Sequence, residues 1–165
     1  KVNNCTIADN VTGSNGSGFA ITDSEVLITN SILWQNGVED IRVLSGDDPN
    51  VMYCTISSGF AGVGNIITDP LFAQHGFWGK YGDPNRSILP SEPGAKWIPG
   101  DYHLQSSNGR WDPIQGEWIT DEANSPAIDA AAPNATFNLE PKPNGDRRNQ
   151  GTYGGTDQAS MSTGD

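Results

Sequence analysis

The sequence predicts an all-β chain that folds as a right-handed, single-stranded parallel β-helix, and three observations support this class. Three segments, which begin at Val2, Ile28 and Val51, align in one register at offsets of 26 and 23 residues. A further apolar run lies between successive segments, so each circuit of the chain is predicted to hold three short strands. The 20 Gly and 11 Pro residues, among many Asn, Asp, Ser and Thr, are typical of a chain that turns often.

The first element of each circuit is a strand, a corner and a second strand. Apolar positions alternate as in a half-buried strand, but the alternation skips one residue at Asn4, Asn30 and Tyr53. A skip at a fixed place predicts a bend that lets both strands point apolar side chains inward. Asn suits such a corner because it tolerates left-handed backbone angles and can hydrogen-bond its stacked counterpart.

The third element of each circuit is the apolar run at 19–21 and again at 41–44. A repeat of this length cannot bury its own apolar face, so it must stack on a neighbour. A leucine-rich repeat has a similar period, but its Leu spacing is absent. A β-sandwich is the open alternative, because short strands and frequent turns also fit it.

The two cysteines fall in one inward-facing column together with Ser31. Cys5 and Cys54 are then two rungs apart, about 9 to 10 Å at the usual strand spacing, whereas a disulfide requires Cα atoms within about 7 Å. The sequence therefore predicts two buried free thiols.

Four regions are predicted along the chain. Residues 1–72 form the β-helix rungs, 73–99 an aromatic-rich loop insertion, 100–130 the last strands and a hairpin of the same domain, and 131–165 an irregular Pro- and Gly-rich covering tail. The tail is expected to cover an open end of the stack or to run back along one side. Because Lys1 leads directly into a strand, we expect the chain to be the C-terminal part of a longer protein.

Charge and hydropathy exclude two classes of partner. The formal net charge of -11 and the pI near 4.3 disfavour nucleic acid and anionic membranes. No apolar run is long enough to span a bilayer. We expect neither nucleic-acid binding nor membrane insertion.

The candidate ligand site lies in the insertion, which carries Phe77, Trp78, Tyr81 and Trp97. Exposed aromatic rings stack on the apolar faces of sugar rings, so these residues are the predicted glycan contacts. The alternative is that the rings pack the insertion onto the flank of the stack. Trp118, in the hairpin that Asp112 and Pro113 begin, is expected to be partly buried.

No catalytic residue is assigned, because no metalloprotease, hydrolase or phosphate-loop motif is present. The basic residues beside the insertion form no known spacing, and His103 is expected to be a satisfied structural residue. No cofactor is expected; the only one considered is Ca²⁺, through Glu39-Asp40, Asp47-Asp48 or Asp129, for which solvated turn carboxylates are the alternative.

Several stretches resemble exported parallel β-helix proteins of the pectin-lyase-like superfamily, of the kind that planctomycete-type bacteria secrete or display. The matching stretches are NCTIADN (4–10), ITNSILWQN (28–36), GNIITDPLF (64–72), GDYHL (100–104), NGRWDPIQGEWITDEANSPAIDA (108–130) and EPKPNGDRRNQGTYGGTDQAS (140–160). The resemblance leaves out about 73–99. It implies the fold and an extracellular or cell-surface location, but no reaction, because most members have none assigned.

Three functions are compatible with these features. The leading one is a non-catalytic surface module that binds polysaccharide or a partner. The second is a fragment of a polysaccharide lyase or glycoside hydrolase, which rests on the resemblance alone. The third is a self-assembling extracellular structural protein, in which the first rung contacts other copies or other parts of the parent chain.

Overall fold

The computed structural model describes residues 1–10 and 18–162, and their regular secondary structure is entirely β. Residues 11–17 of the predicted rungs and 163–165 of the predicted tail lie outside the described residues. Within the described residues, no helix has the length and apolar character needed to cross a membrane.

The first part of the chain contributes strands in turn to three parallel sheets, and each such set of successive strands is one circuit. The first circuit contains β1 (Val2–Asn3), β2 (Thr6–Ala8) and β3 (Phe19–Thr22). The second contains β4 (Leu27–Thr29), β5 (Ile32–Trp34) and β6 (Ile41–Ser45). The third contains β7 (Asn50–Met52) and β8 (Thr55–Ile56). The sheet orders are β1-β4-β7, β2-β5-β8 and β3-β6.

The strand register confirms the predicted columns. Val2 pairs with Ile28, which pairs with Val51. Ile7, Leu33 and Ile56 stack in the same way in the middle sheet, β2-β5-β8. Phe19 pairs with Ile41 in the third sheet. Identical positions in successive circuits therefore lie one strand apart.

The predicted corners are present and adopt the left-handed conformation. The φ angles are 52° at Asn4, 53° at Asn30 and 52° at Tyr53. Two further corners per circuit also have positive φ, at Asp9 and Gln35 after the middle strands and at Asp23 and Gly46 after the third strands. The skipped alternation thus corresponds to a real change of direction.

Two apolar cores lie on opposite faces of the middle sheet. The inner core lies between the three sheets and consists of Ile21, Ile28, Leu33, Ile41, Val51, Cys54 and Ile56. The outer core joins Ile32 and Trp34 of β5 to Phe72, Leu104 and Ala127 from later in the chain. Because both faces are covered, Ile32 and Leu33 are each fully buried.

Both cysteines are free thiols, but only one is buried as predicted. Cys54 has no exposed surface, and its burial raises the pKa of the thiol to about 11. Cys5 is only half-buried, which corrects the expectation. It lies in the first circuit, where the described part of the chain stacks a strand on one side only.

The insertion is ordered sheet rather than a loop. It contains β10 (Phe77–Lys80), β11 (Asp83–Ser87) and β12 (Ala95–Ile98), and it is flanked by β9 (Phe72–Gln74) and β13 (Asp101–Leu104). β10 is the centre of an antiparallel sheet between β11 and β12, and β9 pairs with β13. The prediction of a loop was wrong because it gave too little weight to cross-strand aromatic pairing, which stabilises short antiparallel strands.

The predicted hairpin follows, as β14 (Arg110–Asp112) and β15 (Glu117–Ile119). Asp112 organises its turn: one carboxylate oxygen accepts from the backbone N–H of Ile114 and of Gln115 at 2.8 and 3.0 Å. Trp118 is 37% exposed, so it belongs to the exposed apolar side chains, which corrects the expectation of partial burial.

The tail runs along the outside of the middle sheet. Thr55 Oγ1 donates to Gln150 Oε1 at 2.6 Å, and the Thr152 N–H donates to Thr6 Oγ1 at 3.1 Å. The corner amide of Asn4 donates to the carbonyl of Gly151 at 2.7 Å. The sequence predicts a tail that either covers an open end of the stack or runs back along one side, and the structure shows it along one side.

Candidate functional site

A groove of about 260 Å³ lies where the insertion meets the corners that follow β2 and β5. Its lining includes Asp9, Gln35, Gly76, Phe77, Trp78 and Trp97. The groove therefore combines aromatic side chains from one region with polar side chains from another, a composition common in ligand sites.

The aromatic wall is a cross-strand tryptophan pair. Trp78 on β10 lies directly opposite Trp97 on β12. Their ring centroids are 5.7 Å apart and their planes meet at 64°, which is the favourable edge-to-face arrangement. Both side chains are half-buried, so each is fixed on one side and accessible on the other.

The polar part of the groove centres on the Asp9 carboxylate, whose side chain is only 7% exposed. Oδ1 of Asp9 lies 2.9 Å from Nδ1 of His75. Oδ2 accepts from the backbone N–H of Gly76 at 3.1 Å and from the Tyr102 hydroxyl at 3.0 Å. Three donors from the insertion and β13 thus converge on one residue of the first circuit.

The local sequence explains why Asp9 occupies this place. Asp9 directly follows β2 and has a φ of 58°, a conformation that Asp tolerates better than most residues. Its N–H donates to the carbonyl of Trp34 at 3.1 Å, which extends the pairing of the middle sheet. Gln35 occupies the same corner one circuit later, so the two polar side chains are neighbours along the stack.

Aromatic contacts also hold His75 and Tyr102, the two side chains that bind Asp9. The buried ring of Phe72 meets the ring of Tyr102 edge to face at 5.2 Å and the imidazole of His75 at 5.4 Å. Burial, together with the hydrogen bond to Asp9, raises the pKa of Tyr102 to about 12. The hydroxyl therefore remains protonated at neutral pH and donates to the carboxylate.

Two glycines allow the insertion to approach this closely. A Cβ on Gly76 would lie 2.3 Å from the Trp97 ring and 2.8 Å from the Tyr102 hydroxyl. A Cβ on Gly100 would lie 2.5 Å from the backbone nitrogen of Gly76. Any side chain at either position would displace the aromatic wall.

The arrangement suits a ligand with one apolar face and several hydroxyl groups. The half-buried indoles of Trp78 and Trp97 supply apolar contact at small entropic cost, since both rings are already held. The exposed amide of Gln35 can orient hydroxyl groups through hydrogen bonds, and the Asp9 carboxylate, which three protein donors already bind, holds the polar edge of the groove in place. Sugars have this combination of surfaces.

Three of the four predicted ligand residues line one groove, namely Phe77, Trp78 and Trp97. Tyr81 does not belong to that lining. It lies at the turn after β10 and is 79% exposed. The turn carries its side chain away from the tryptophan pair.

Sequence reasoning missed Asp9, Tyr102 and the two glycines. Asp9 lies 66 positions before His75, and no local motif joins them. The sequence carries only a weak signal for this site. Gly76 and Gly100 lie near the two ends of the insertion, and Asp9 directly follows a predicted strand.

His103 belongs to a separate, buried network. Its Nδ1 lies 2.5 Å from Oδ1 of Asp101, and its ring stacks on Tyr153 at 3.5 Å. Oδ2 of Asp101 accepts from Arg110, which also binds Asp121 through two nitrogens. The network joins β13, β14 and the tail, and with 1% exposure His103 lies inside the structure.

The carboxylates considered for Ca²⁺ are dispersed. Asp40 is buried and accepts from Asn36 Nδ2 at 2.9 Å and Ser57 Oγ at 2.6 Å, so it is a structural acceptor. Asp47-Asp48 lines an exposed acidic groove, and Asp129 binds Ser162 in the tail. Across residues 1–10 and 18–162, no three His, Cys, Asp or Glu side chains form a group that could hold a metal ion.

Two larger grooves are present, of about 650 and 680 Å³. The first lies between the outer face of β1-β4-β7 and residues 132–136, and the second is the acidic groove that includes Asp47 and Asp48. Neither has an aromatic pair in its lining. The smaller groove beside Trp78 and Trp97 is therefore the stronger candidate.

Comparison of the chain with protein-family models, with curated proteins and with solved structures yields no significant match in any of the three.

Proposed function

We propose that this chain belongs to an exported right-handed parallel β-helix protein, and that it serves as a non-catalytic surface module that binds polysaccharide. The proposed location is extracellular or at the cell surface. The resemblance to secreted pectin-lyase-like proteins supports the location, and the groove beside the insertion supports the binding role.

The β-helix assignment is supported by three stacked circuits whose strands are parallel and in register. A connection between parallel strands of one sheet is right-handed in nearly all proteins, which favours the right-handed form. Left-handed corner residues in equivalent positions give each circuit the same shape.

The observation that carries the binding role is the pairing of Trp78 with Trp97 beside Asp9. Large indole surfaces in contact with solvent are costly unless they serve an interaction. Here they adjoin hydrogen-bonding groups that an apolar packing role would not require.

Affinity electrophoresis against a panel of soluble polysaccharides, followed by calorimetry with oligosaccharides of any that bind, tests the proposal. Trp97→Ala is expected to weaken binding at least fivefold, because stacking on an indole contributes on the order of 1 to 3 kcal/mol. Trp78→Ala is expected to act in the same direction. Tyr81→Ala is the matched control, since Tyr81 lies outside the groove, and it should leave the affinity unchanged.

Two outcomes would contradict the proposal. If polysaccharide binds equally well to both tryptophan variants, the groove is not the site. If incubation with the panel releases unsaturated or reducing ends, the module is part of a lyase or hydrolase.

A second candidate, assembly through the first circuit, is favoured by one observation. Val2 and Ile7 are half-buried, whereas Ile28 and Leu33, their partners in the second circuit, have no exposed surface. The inner core is thus open at the first circuit, where an additional circuit of the parent chain or of another copy would cover it.

Light scattering over a range of concentrations tests assembly between copies. Wild-type protein is expected to associate as the concentration rises, and Ile7→Lys is expected to prevent this by placing a charge in the open core. Val38→Lys is the control, because Val38 is already 89% exposed. A wild-type chain that stays monomeric throughout would exclude contact between copies.

A further inference from the structure

The hairpin of β14 and β15 carries a second tryptophan pair with nearly the same geometry as the first. Trp111 lies directly opposite Trp118, their centroids are 5.6 Å apart, and their planes meet at 66°. The corresponding values for Trp78 and Trp97 are 5.7 Å and 64°. Both pairs lie on short antiparallel strands outside the parallel sheets.

The second pair is accessible from solvent. Trp118 is 37% exposed, and Ile114 at the end of the hairpin is 90% exposed. The Asp112 carboxylate already fixes the turn through backbone and side-chain donors of Gln115. The turn is therefore organised without the side chain of Ile114, and the exposed indole of Trp118 can contact a ligand.

The surroundings of the two pairs differ in charge. The insertion, residues 73–99, carries three basic and two acidic residues, for a net charge of +1. The hairpin and its flank, residues 110–122, carry one basic and four acidic residues, for a net charge of -3. The hairpin segment is thus the more acidic of the two.

The one basic residue of the hairpin is already used. Arg110 is buried and binds both Asp121 and Asp101. In the part of the chain that the structure describes, neither Glu117 nor Glu122 has an ion-pair partner within 4.0 Å. These exposed carboxylates add negative charge to the hairpin that no ion pair neutralises.

Two carboxylates of the hairpin also lie directly opposite each other. Asp112 and Glu117 are paired across the two strands, an arrangement that is unfavourable for like charges. Hydrogen bonds from the turn lower the pKa of Asp112, which keeps that carboxylate charged in mildly acidic solution.

We propose that the Trp111–Trp118 hairpin is a second carbohydrate contact and that it takes sugars bearing protonated amino groups. A cation over an indole face is attracted by the ring, and the carboxylates strengthen that attraction. Adjacent side chains of a strand alternate between faces, so Asp112 and Glu117 lie on the opposite face of the hairpin from the two indoles. They act on a ligand at the indoles through their electric field, over a distance within the Debye length of about 8 to 10 Å. The inference extends the proposed glycan-binding function to a second site with a different ligand class.

Calorimetry with a glucosamine hexamer and with its fully N-acetylated counterpart tests the proposal, because the two probes share a backbone and differ in charge. At pH 5.5 and low ionic strength, the amine form is expected to bind at least tenfold more tightly. Raising the salt concentration to about 0.5 M should remove most of that preference, since screening weakens attraction between exposed charges.

Substitutions test whether the preference for the amine form depends on the hairpin. Trp118→Ala and Glu117→Gln are each expected to reduce affinity for the amine form at least fivefold. Asp47→Asn, an exposed carboxylate in another part of the chain, and Tyr81→Ala, an exposed ring outside both tryptophan pairs, should both leave the preference unchanged. Trp118→Phe retains an aromatic ring and should retain part of the affinity, which separates loss of contact from misfolding.

Three results would overturn the inference. The first is equal affinity for the two hexamers. The second is an equal loss of affinity for the amine form in Glu117→Gln and Asp47→Asn. The third is binding of oligolysine that depends on Trp118 and is as tight as binding of the amine sugar. The third would show recognition of any polycation. Failure of the first groove would be seen separately, because Trp97→Ala would then leave polysaccharide binding unchanged while the hairpin retains its preference.

Discussion

Oδ1 of Asp9 lies 2.9 Å from Nδ1 of His75, although 66 residues separate them in the chain. This contact joins the first circuit of the parallel sheets to the start of the antiparallel insertion. Tyr102 and the backbone of Gly76 bind the same carboxylate. The position of the aromatic wall relative to the corners therefore depends on one buried side chain.

Replacing Asp9 by Ala is expected to lower the free energy of unfolding by about 2 to 4 kcal/mol, because three donors lose their acceptor in a largely buried place. Urea denaturation measures the change. Asp47→Ala removes an exposed carboxylate and should alter stability by no more than about 0.5 kcal/mol. Equal effects of the two substitutions would show that the Asp9 contacts do not hold the insertion.

Replacing Gly76 by Ala is expected to move the Trp97 ring, since the added Cβ would lie 2.3 Å from it. The near-ultraviolet circular dichroism of the protein should change, and the melting temperature should fall. Gly82→Asn is the control, because nothing lies within 4 Å of a Cβ there and Asn tolerates the positive φ of that turn. An unchanged tryptophan spectrum in the Gly76 variant would contradict the close approach seen in the structure.

Asn30 provides a test of the corners. It combines a φ of 53° with two side-chain hydrogen bonds, to Asn3 at 2.9 Å and from the N–H of Ala132 at 2.7 Å. Asn30→Ala is expected to cost about 2 to 4 kcal/mol, from the lost bonds and from a left-handed conformation that Ala adopts poorly.

The corresponding glycine variant separates these two causes. Asn30→Gly loses the hydrogen bonds but adopts positive φ freely, so it should cost about 1 kcal/mol less than the alanine variant. Equal unfolding free energies for the two variants would mean that backbone conformation contributes nothing at this corner.

The raised pKa of Cys54 predicts that the free energy of unfolding depends on pH. Burial raises the pKa of its thiol from 9.0 to about 11, so the folded protein keeps a proton that the unfolded chain releases. The contribution of this group is fully present below about pH 9 and is lost as the pH rises to about 11, a decline on the order of 2 to 3 kcal/mol. The decline should be smaller by this amount in Cys54→Ala and full in Cys5→Ala, while the raised pKa of Tyr102 gives both variants a further loss above about pH 10.

Alkylation provides a second measurement at the same residue. Iodoacetamide should modify half-buried Cys5 in the native protein and leave Cys54 intact, with mass mapping of the peptides to distinguish them. Rapid native-state labelling of Cys54 would contradict its burial.

The repeat is the part of the fold that the sequence alone determined. Apolar positions at fixed offsets can be buried in one way only, by stacking on the equivalent positions of the next circuit, so the columns through Ile28 and Leu33 followed directly. The corners at Asn4 and Asn30 followed as well, because a skipped alternation leaves the chain no other way to keep both strands facing inward.

The site was decided by the tertiary structure. The sequence indicated that Trp78 and Trp97 belong together as exposed aromatics, but it described their segment as a loop, because cross-strand pairing depends on a register that no local pattern specifies. The contact between Asp9 and His75 depends on how the insertion folds back across the second face of the middle sheet. Such long-range contacts arise when apolar residues such as Ile32 and Phe72 are buried against each other, and that packing is a property of the folded chain as a whole.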